Sequence, residues 1–286
     1  MSYSAKAIQV GISISDIRIH HPAFKGALEG VGRIIQLGNN LRHPFGACII
    51  APSGAGKTLL IESVQRNECG WPYLRPQSVL VVSLKEAPTV AQIQEDLLAS
   101  FDYVISPRTG RKTNAVLFNI LVAAIEQHDI LLIVIDEFQH VFLSRKDEVR
   151  AAIVDWVKRL MSVTQRPILL SGTEVLRSIE RADPQLTTRI ASIFTMPDLK
   201  NDENWRGVLG GFASATRELV DLTVLTTHAN LVFKATQGVM RTLKSLIMES
   251  AMIAIDAQRT AVERQHLQLA FQRLFGNGST KDNPFD

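Results

Sequence analysis

The stretch APSGAGKT, residues 51–58, constrains this chain more than any other. It follows the apolar run GACII, 46–50, and precedes residues that read as a helix from near Gly56 to about Asn67. Strand, glycine-rich loop and helix in that order make a P-loop, G-x-x-x-x-G-K-[ST], with Ala51 where the pattern has glycine. The loop runs Ala51, Pro52, Ser53, Gly54, Ala55, Gly56, and its small residues let several backbone N–H groups turn toward one phosphate. The helix start adds its positive dipole end. Lys57 is expected to neutralise charge on the β- and γ-phosphates, and Thr58 to offer a hydroxyl to Mg²⁺. If position 51 required positive φ, alanine there would cost about 1–2 kcal/mol.

Short apolar runs alternate with helical spacing along most of the chain. Strands are expected at 46–50, 78–84, 130–136, 167–172 and 192–197, and helices at 23–38, 89–101, 113–127 and 146–163. The helix at 113–127 is apolar on most faces and is expected to be buried. Continuous apolar strands joined through helices predict a parallel α/β sheet covered on both faces. After Pro197 the strand pattern stops, and four helical stretches are expected over 201–275. The reading is an N-terminal segment at 1–22, an α/β domain at 23–197, a helical lid at 198–275 and a flexible tail at 276–286.

The run LLIVIDE ends on two adjacent carboxylates, Asp136 and Glu137. Ligands of parallel sheets bind beyond the carboxyl ends of the strands. A strand ending there beside the P-loop strand would aim Asp136 at the Mg²⁺ held by Thr58, a hard oxygen ligand for a hard cation. Glu137 would then stand beside the γ-phosphate and deprotonate the attacking water. Further polar groups sit near strand ends. In PILLSGT, 167–173, Ser171 and Thr173 are expected just past a strand end. Arg189 precedes the last strand, and Arg241 starts a helix in QGVMRTL.

Composition adds little. The chain has 286 residues, 46% of them hydrophobic and 21% charged, with no apolar run long enough to span a membrane. No signal-peptide pattern opens it, two cysteines fit a reducing compartment, and a cytoplasmic location is expected. Net charge is +3 and the pI about 8.9, which permits nucleic-acid contact without demanding it. The loop SPRTGRKT gathers Arg108, Arg111 and Lys112 with Thr113 adjacent, a candidate for DNA-backbone contact. Arg145 and Lys146 are offset by Asp147 and Glu148.

P-loop, LLIVIDE, a polar residue after the fourth strand and G-x-x-R in a helical lid together resemble an AAA+ ATPase. HHPAFKGAL, IDEFQHV, SGTEVL and DPQLTTRI bring the chain closer to the TniB/TnsC group of bacterial transposition regulators. The resemblance implies Asp136 as Mg²⁺ ligand, Glu137 as catalytic base, Thr173 and Arg241 as first and second sensors, and Arg189 as arginine finger. It implies that Ile19–Pro22 borders the adenine. It also implies ATP-bound subunits in a ring or helical filament on double-stranded DNA, with a transposase and a TniQ-type target-selection protein as partners. Other readings are a nucleotide-gated protein–protein switch without DNA, a helicase loader, and a small-molecule kinase. Against the kinase, no acceptor-binding domain is evident and the lid follows the sheet rather than interrupting it.

Overall fold

The computed structural model describes residues 2–41, 46–102, 113–143, 146–179, 183–276 and 282–286. Arg108, Arg111, Lys112 and Arg145 lie outside them. The chain divides into two compact units. One holds Gly26–Ser53 and Lys57–Met196; the other holds Met1–Lys25, Gly54–Gly56 and Pro197–Asp286.

The α/β unit is built on five strands, β1 (Gly46–Ile50), β2 (Val79–Ser83), β3 (Leu132–Asp136), β4 (Ile168–Gly172) and β5 (Ser192–Thr195). They pair in parallel in the order β2-β3-β4-β1-β5. Every residue of β1, β3 and β4 is buried, as uninterrupted apolar runs in a two-sided parallel sheet require. The order corrects one expectation: β3 does not lie beside the P-loop strand β1. β4 stands between them, with Ile50 opposite Gly172 and Ile135 opposite Leu170. Ser171 is accordingly inside β4 and fully buried rather than past its end.

Helices α2 (Pro22–Asn40), α3 (Lys57–Gln65), α4 (Val90–Ala99), α5 (Asn114–Gln127), α6 (Gln139–Leu143), α7 (Asp147–Thr164) and α8 (Pro184–Arg189) accompany the sheet. The N-caps Thr89 and Thr113 accept from Gln92 N and Val116 N, which fixes where α4 and α5 begin. Only one stripe of α5 is covered, Leu117, Phe118, Leu121, Ala124 and Ile125; Val116 is exposed, so the helix is not buried all round. Asp147 and Glu148 occupy the first turn of α7, where the helix dipole favours them.

The helical unit contains five helices after residue 200, not four: α9 (Glu203–Ala215), α10 (Thr223–Thr227), α11 (Ala229–Thr236), α12 (Met240–Asp256) and α13 (Arg264–Phe275). His228 separates the short helices α10 and α11. The N-terminal residues also form a helix, α1 (Ala5–Asp16), capped by Ser4 and packed along α12. Ala7, Val10 and Ile14 join Trp205, Phe212, Leu246 and Ile247 in one core. A Cβ on Gly11 would lie 2.8 Å from Met252 Sδ, so a larger residue there would have to displace that side chain. Residues 282–286 depart from the expected flexible tail. Phe285 is buried in the same core, and Arg264 Nε donates to its carbonyl at 3.0 Å. No helix among the described residues is long and apolar enough to cross a membrane.

Candidate nucleotide-binding site

The phosphate loop departs from the sheet without strain at its first residue. Ala51 is fully buried, is not at positive φ, and donates its N–H to Gly172 O at 3.0 Å, so it prolongs β1 alongside β4. The anticipated cost of alanine does not arise. Positive φ falls on Gly54 (86°) and Gly56 (102°), where glycine adopts it freely. Lys57 begins α3, and its ammonium donates to Ala51 O at 3.0 Å and Pro52 O at 3.2 Å. Those carbonyls hold the charged group inside the loop, where a phosphate would compete for it.

Within the helical unit, the carbonyl of Gly54 accepts from Arg241 N at 3.1 Å. A Cβ at Gly54 would meet Val239 Cγ1 at 3.1 Å and Arg241 Cβ at 3.2 Å, so a side chain at that position would push on α12. Gly238, at φ 73°, sets up this approach: its carbonyl accepts from Leu199 N, and a Cβ there would lie 2.0 Å from Leu199 O. Ile19 packs on Gly211 of α9, His20 stacks on Phe24 with ring centroids 5.0 Å apart, and Phe24 lies 4.0 Å from where a Cβ on Gly56 would be. The residues expected to border a base therefore share this unit with the glycines of the loop.

Asp136 closes β3 with 8% exposure. Its Oδ1 and the Oγ of Ser171 are buried without a hydrogen bond of good geometry. Burial pushes the Asp136 carboxyl above the usual range; the nearby Ser171 hydroxyl, the Glu137 N–H and the Lys57 charge pull it only part of the way back. A buried carboxylate oxygen with no partner is chemically fitted to a cation. One carboxylate, the Thr58 hydroxyl and phosphate oxygens make the oxygen set that Mg²⁺ takes. No cluster of three or more His, Cys, Asp or Glu occurs among the described residues, which such a site does not need.

Glu137 has φ 56°, a left-handed conformation that costs a non-glycine residue about 1–2 kcal/mol. The turn is pinned because Phe138 N donates to Ser171 O at 2.9 Å. The Glu137 Oε2 accepts from Gln139 Nε2, and His140 Nε2 lies 4.0 Å away. Gln139, in turn, accepts from Thr173 N at 3.3 Å.

The model of the family described as "Bacterial TniB protein" matches residues 13–200. This chain belongs to the TniB family. No curated protein sequence matches it. Among solved structures, the ORC2 protein of Aeropyrum pernix, in ADPNP–ADP complexes, superposes with a TM-score of 0.69 at 17% identity, over 93% of this chain and 70% of that one. Cdc6p of Pyrobaculum aerophilum gives 0.67 at 14%, over 93% and 70%. The Aeropyrum pernix ORC1 protein in complex with DNA gives 0.61 at 18%, over 92% and 67%. The fold is thus the AAA+ P-loop fold with a C-terminal helical part.

In this TniB family member the other expected site residues have definite places. Thr173 heads the 3₁₀ turn Glu174–Ser178 after β4. Arg189 ends α8 and its Nη1 donates to Lys158 O at 3.2 Å and Ser162 Oγ at 2.5 Å, so it is held on the surface of α7. Arg241 is exposed in the first turn of α12. Thr113 spends its hydroxyl on capping α5. Sequence reasoning passed over Gln139, although it sits two residues beyond Glu137 in IDEFQH; no local pattern signals its bond to Thr173.

Proposed function

We propose that this chain binds ATP with Mg²⁺, hydrolyses it, and in its ATP-bound form assembles as a ring or filament on double-stranded DNA, where it recruits a target-selection protein of the TniQ type and a transposase. The observation that carries the ATPase part is the pair at the end of β3: a buried Asp136 with an unpartnered Oδ1, followed by Glu137 in a strained backbone conformation.

Each residue has a task in that reading. Lys57 exchanges the Ala51 and Pro52 carbonyls for phosphate oxygens. The amides from Ser53 to Thr58 close on the same phosphates. Thr58 and Asp136 hold the metal ion, which when bound neutralises charge on the β- and γ-phosphates. Glu137 accepts the proton of the attacking water. Thr173 and Arg241 report the state of the γ-phosphate. Arg189 leaves Lys158 and Ser162 to reach a neighbouring subunit's nucleotide. Ile19, His20 and Phe24 flank the base.

Family membership supports the transposition part of the reading. DNA contact is supported by the pI of about 8.9 and by two solved structures of the same fold whose names state a DNA complex, the archaeal ORC1 protein and Drosophila ORC. Arg108, Arg111, Lys112 and Thr113 supply backbone contacts in this proposal, and assembly multiplies them through avidity. Electron microscopy of the protein with duplex DNA and a slowly hydrolysed ATP analogue tests it. Rings or filaments that need both components are expected. Their absence, together with ATP turnover indifferent to DNA, would leave only a nucleotide-gated protein switch.

A further inference from the structure

We propose that Gln139 is a positioning residue that ties Glu137 to the end of β4, so that the orientation of the catalytic carboxylate depends on where Thr173 sits. The inference rests on Glu137 acting as the base.

Three observations define the link. Gln139 is 5% exposed and bridges two groups: its Nε2 donates to Glu137 Oε2 and its Oε1 accepts from Thr173 N at 3.3 Å. The orientation of the amide is dictated chemically. A backbone N–H can only donate and a carboxylate can only accept, so a flipped Gln139 would lose both bonds. The second observation is Gly172. A Cβ there would lie 2.4 Å from Gln139 Oε1, so the strand leaves that space to the amide. The third is the backbone of Glu137. A left-handed non-glycine residue persists only where its surroundings over-determine it. Here Phe138 N on Ser171 O holds the main chain, and Gln139 holds the side chain.

The bond from Thr173, near the outer limit for an amide donor, is the one that crosses between the two elements, so parting them breaks it. Once it is broken, the Gln139 amide is free to turn and Glu137 loses its fixed donor. Movement of the 3₁₀ turn headed by Thr173 is thereby converted into loss of an aligned base. His140 and Asp136 are the titratable neighbours of Glu137: His140 Nε2 is 4.0 Å away, beyond hydrogen-bond reach, and the Glu137 charge raises the Asp136 carboxyl.

The test is steady-state ATP hydrolysis by the full chain and by Gln139→Leu and Gln139→Glu, with kcat followed against pH and ATP affinity measured separately. In Gln139→Leu, kcat is expected to fall about 10- to 100-fold with the KM for ATP within about twofold, the pattern of a lost alignment made in the transition state. In Gln139→Glu, a second carboxylate against Glu137 should move the acidic limb of the kcat profile to higher pH. A residue that merely fills space would lower the melting temperature of the variants and leave that limb in place. An active parent whose two variants match it in kcat and pH profile would overturn this inference alone. A parent with no ATP turnover would overturn the assigned function and this inference together. Should Gln139→Leu not fold, the split between kcat and KM in the nearly isosteric Gln139→Glu decides.

Discussion

The backbone N–H of Arg241 donates to the carbonyl of Gly54 at 3.1 Å, so the first turn of α12 and the turn of the phosphate loop share a main-chain bond. The bond does not involve the guanidinium, which is exposed. Backbone docking and side-chain function at this position are therefore separable. Arg241→Ala is expected to change stability by no more than about 0.5 kcal/mol, as exposed substitutions do. It is expected to lower ATP turnover about tenfold or more, through loss of one charged donor at the phosphates. Thermal unfolding and turnover measured on the same preparation check both halves. Unchanged turnover would remove Arg241 from the site.

Glu137→Gln keeps the shape and the strained backbone but removes the proton acceptor. ATP binding should persist while turnover falls by roughly 10²–10⁴. Such a variant is also expected to lengthen the life of any assembly on DNA, since ATP stays intact. Hydrolysis at the parent rate would mean that another residue takes the proton.

Asp136→Asn separates function from stability. Burial holds the Asp136 carboxyl above its usual range, so the fold disfavours its charged form. For an acid with a raised folded pKa, stability is greatest below the unfolded value of about 3.9 and declines as pH rises through the folded value. A neutral asparagine escapes that decline. Without nucleotide, Asp136→Asn should therefore unfold at a higher temperature than the parent at pH 7. With ATP and Mg²⁺ the order should reverse, because only the parent gains stability from the bound metal. A less stable nucleotide-free variant at pH 7 would show that the carboxylate already has its partner.

Much of this was legible in the sequence, for definable reasons. β1, β3 and β4 are apolar at every position because both faces are covered, and the phosphate loop and Asp136–Glu137 are local in the chain. What escaped was non-local. The place of β4 beside β1 depends on a pairing of Gly46 with Ile168, far apart in the chain, and only that pairing separates β1 from β3. The stripe of α1, Ala7, Val10, Gly11 and Ile14, is masked by the exposed Ile8 and Ile12, and the side chain that Gly11 faces, Met252, is far away in the chain. Phe285 looked like part of a frayed end until its packing on Phe271, at 6.4 Å between ring centroids, gave it a core. Gln139 starts the short helix α6, which no sequence pattern announced, and its partner Thr173 is 34 residues away.

Replacing Arg108, Arg111 and Lys112 together by alanine tests the proposed DNA interface without touching the P-loop. For every DNA phosphate that the variant no longer neutralises, the salt dependence of binding should become shallower by about 0.9 in log–log slope. ATP affinity should stay at the parent value. A triple variant with the parent's affinity at several salt concentrations would take this loop out of the interface.

Two histidines are expected to make the helical unit sensitive to mild acid. Nδ1 of His21 accepts from Phe24 N at 3.4 Å, and Nδ1 of His266 accepts from Glu263 N at 2.9 Å, so both rings serve as acceptors and must be neutral there. Burial is the main cause lowering both pKa values. His20 adds to it at His21, and at His266 Glu263 opposes it while Arg259 adds to it. A base with a lowered folded pKa costs nothing above its unfolded value, about 6.5. As pH falls below that value, the unfolded chain takes up protons first, and stability declines until the folded value is passed. The melting temperature should therefore drop between pH 7.5 and pH 5, above the range where ordinary carboxylates titrate. His21→Asn with His266→Asn keeps a short side-chain acceptor at each position without the titration, and its profile over the same interval should be flatter. A double variant whose melting temperature falls with pH as steeply as the parent's would show that other groups govern the acid response.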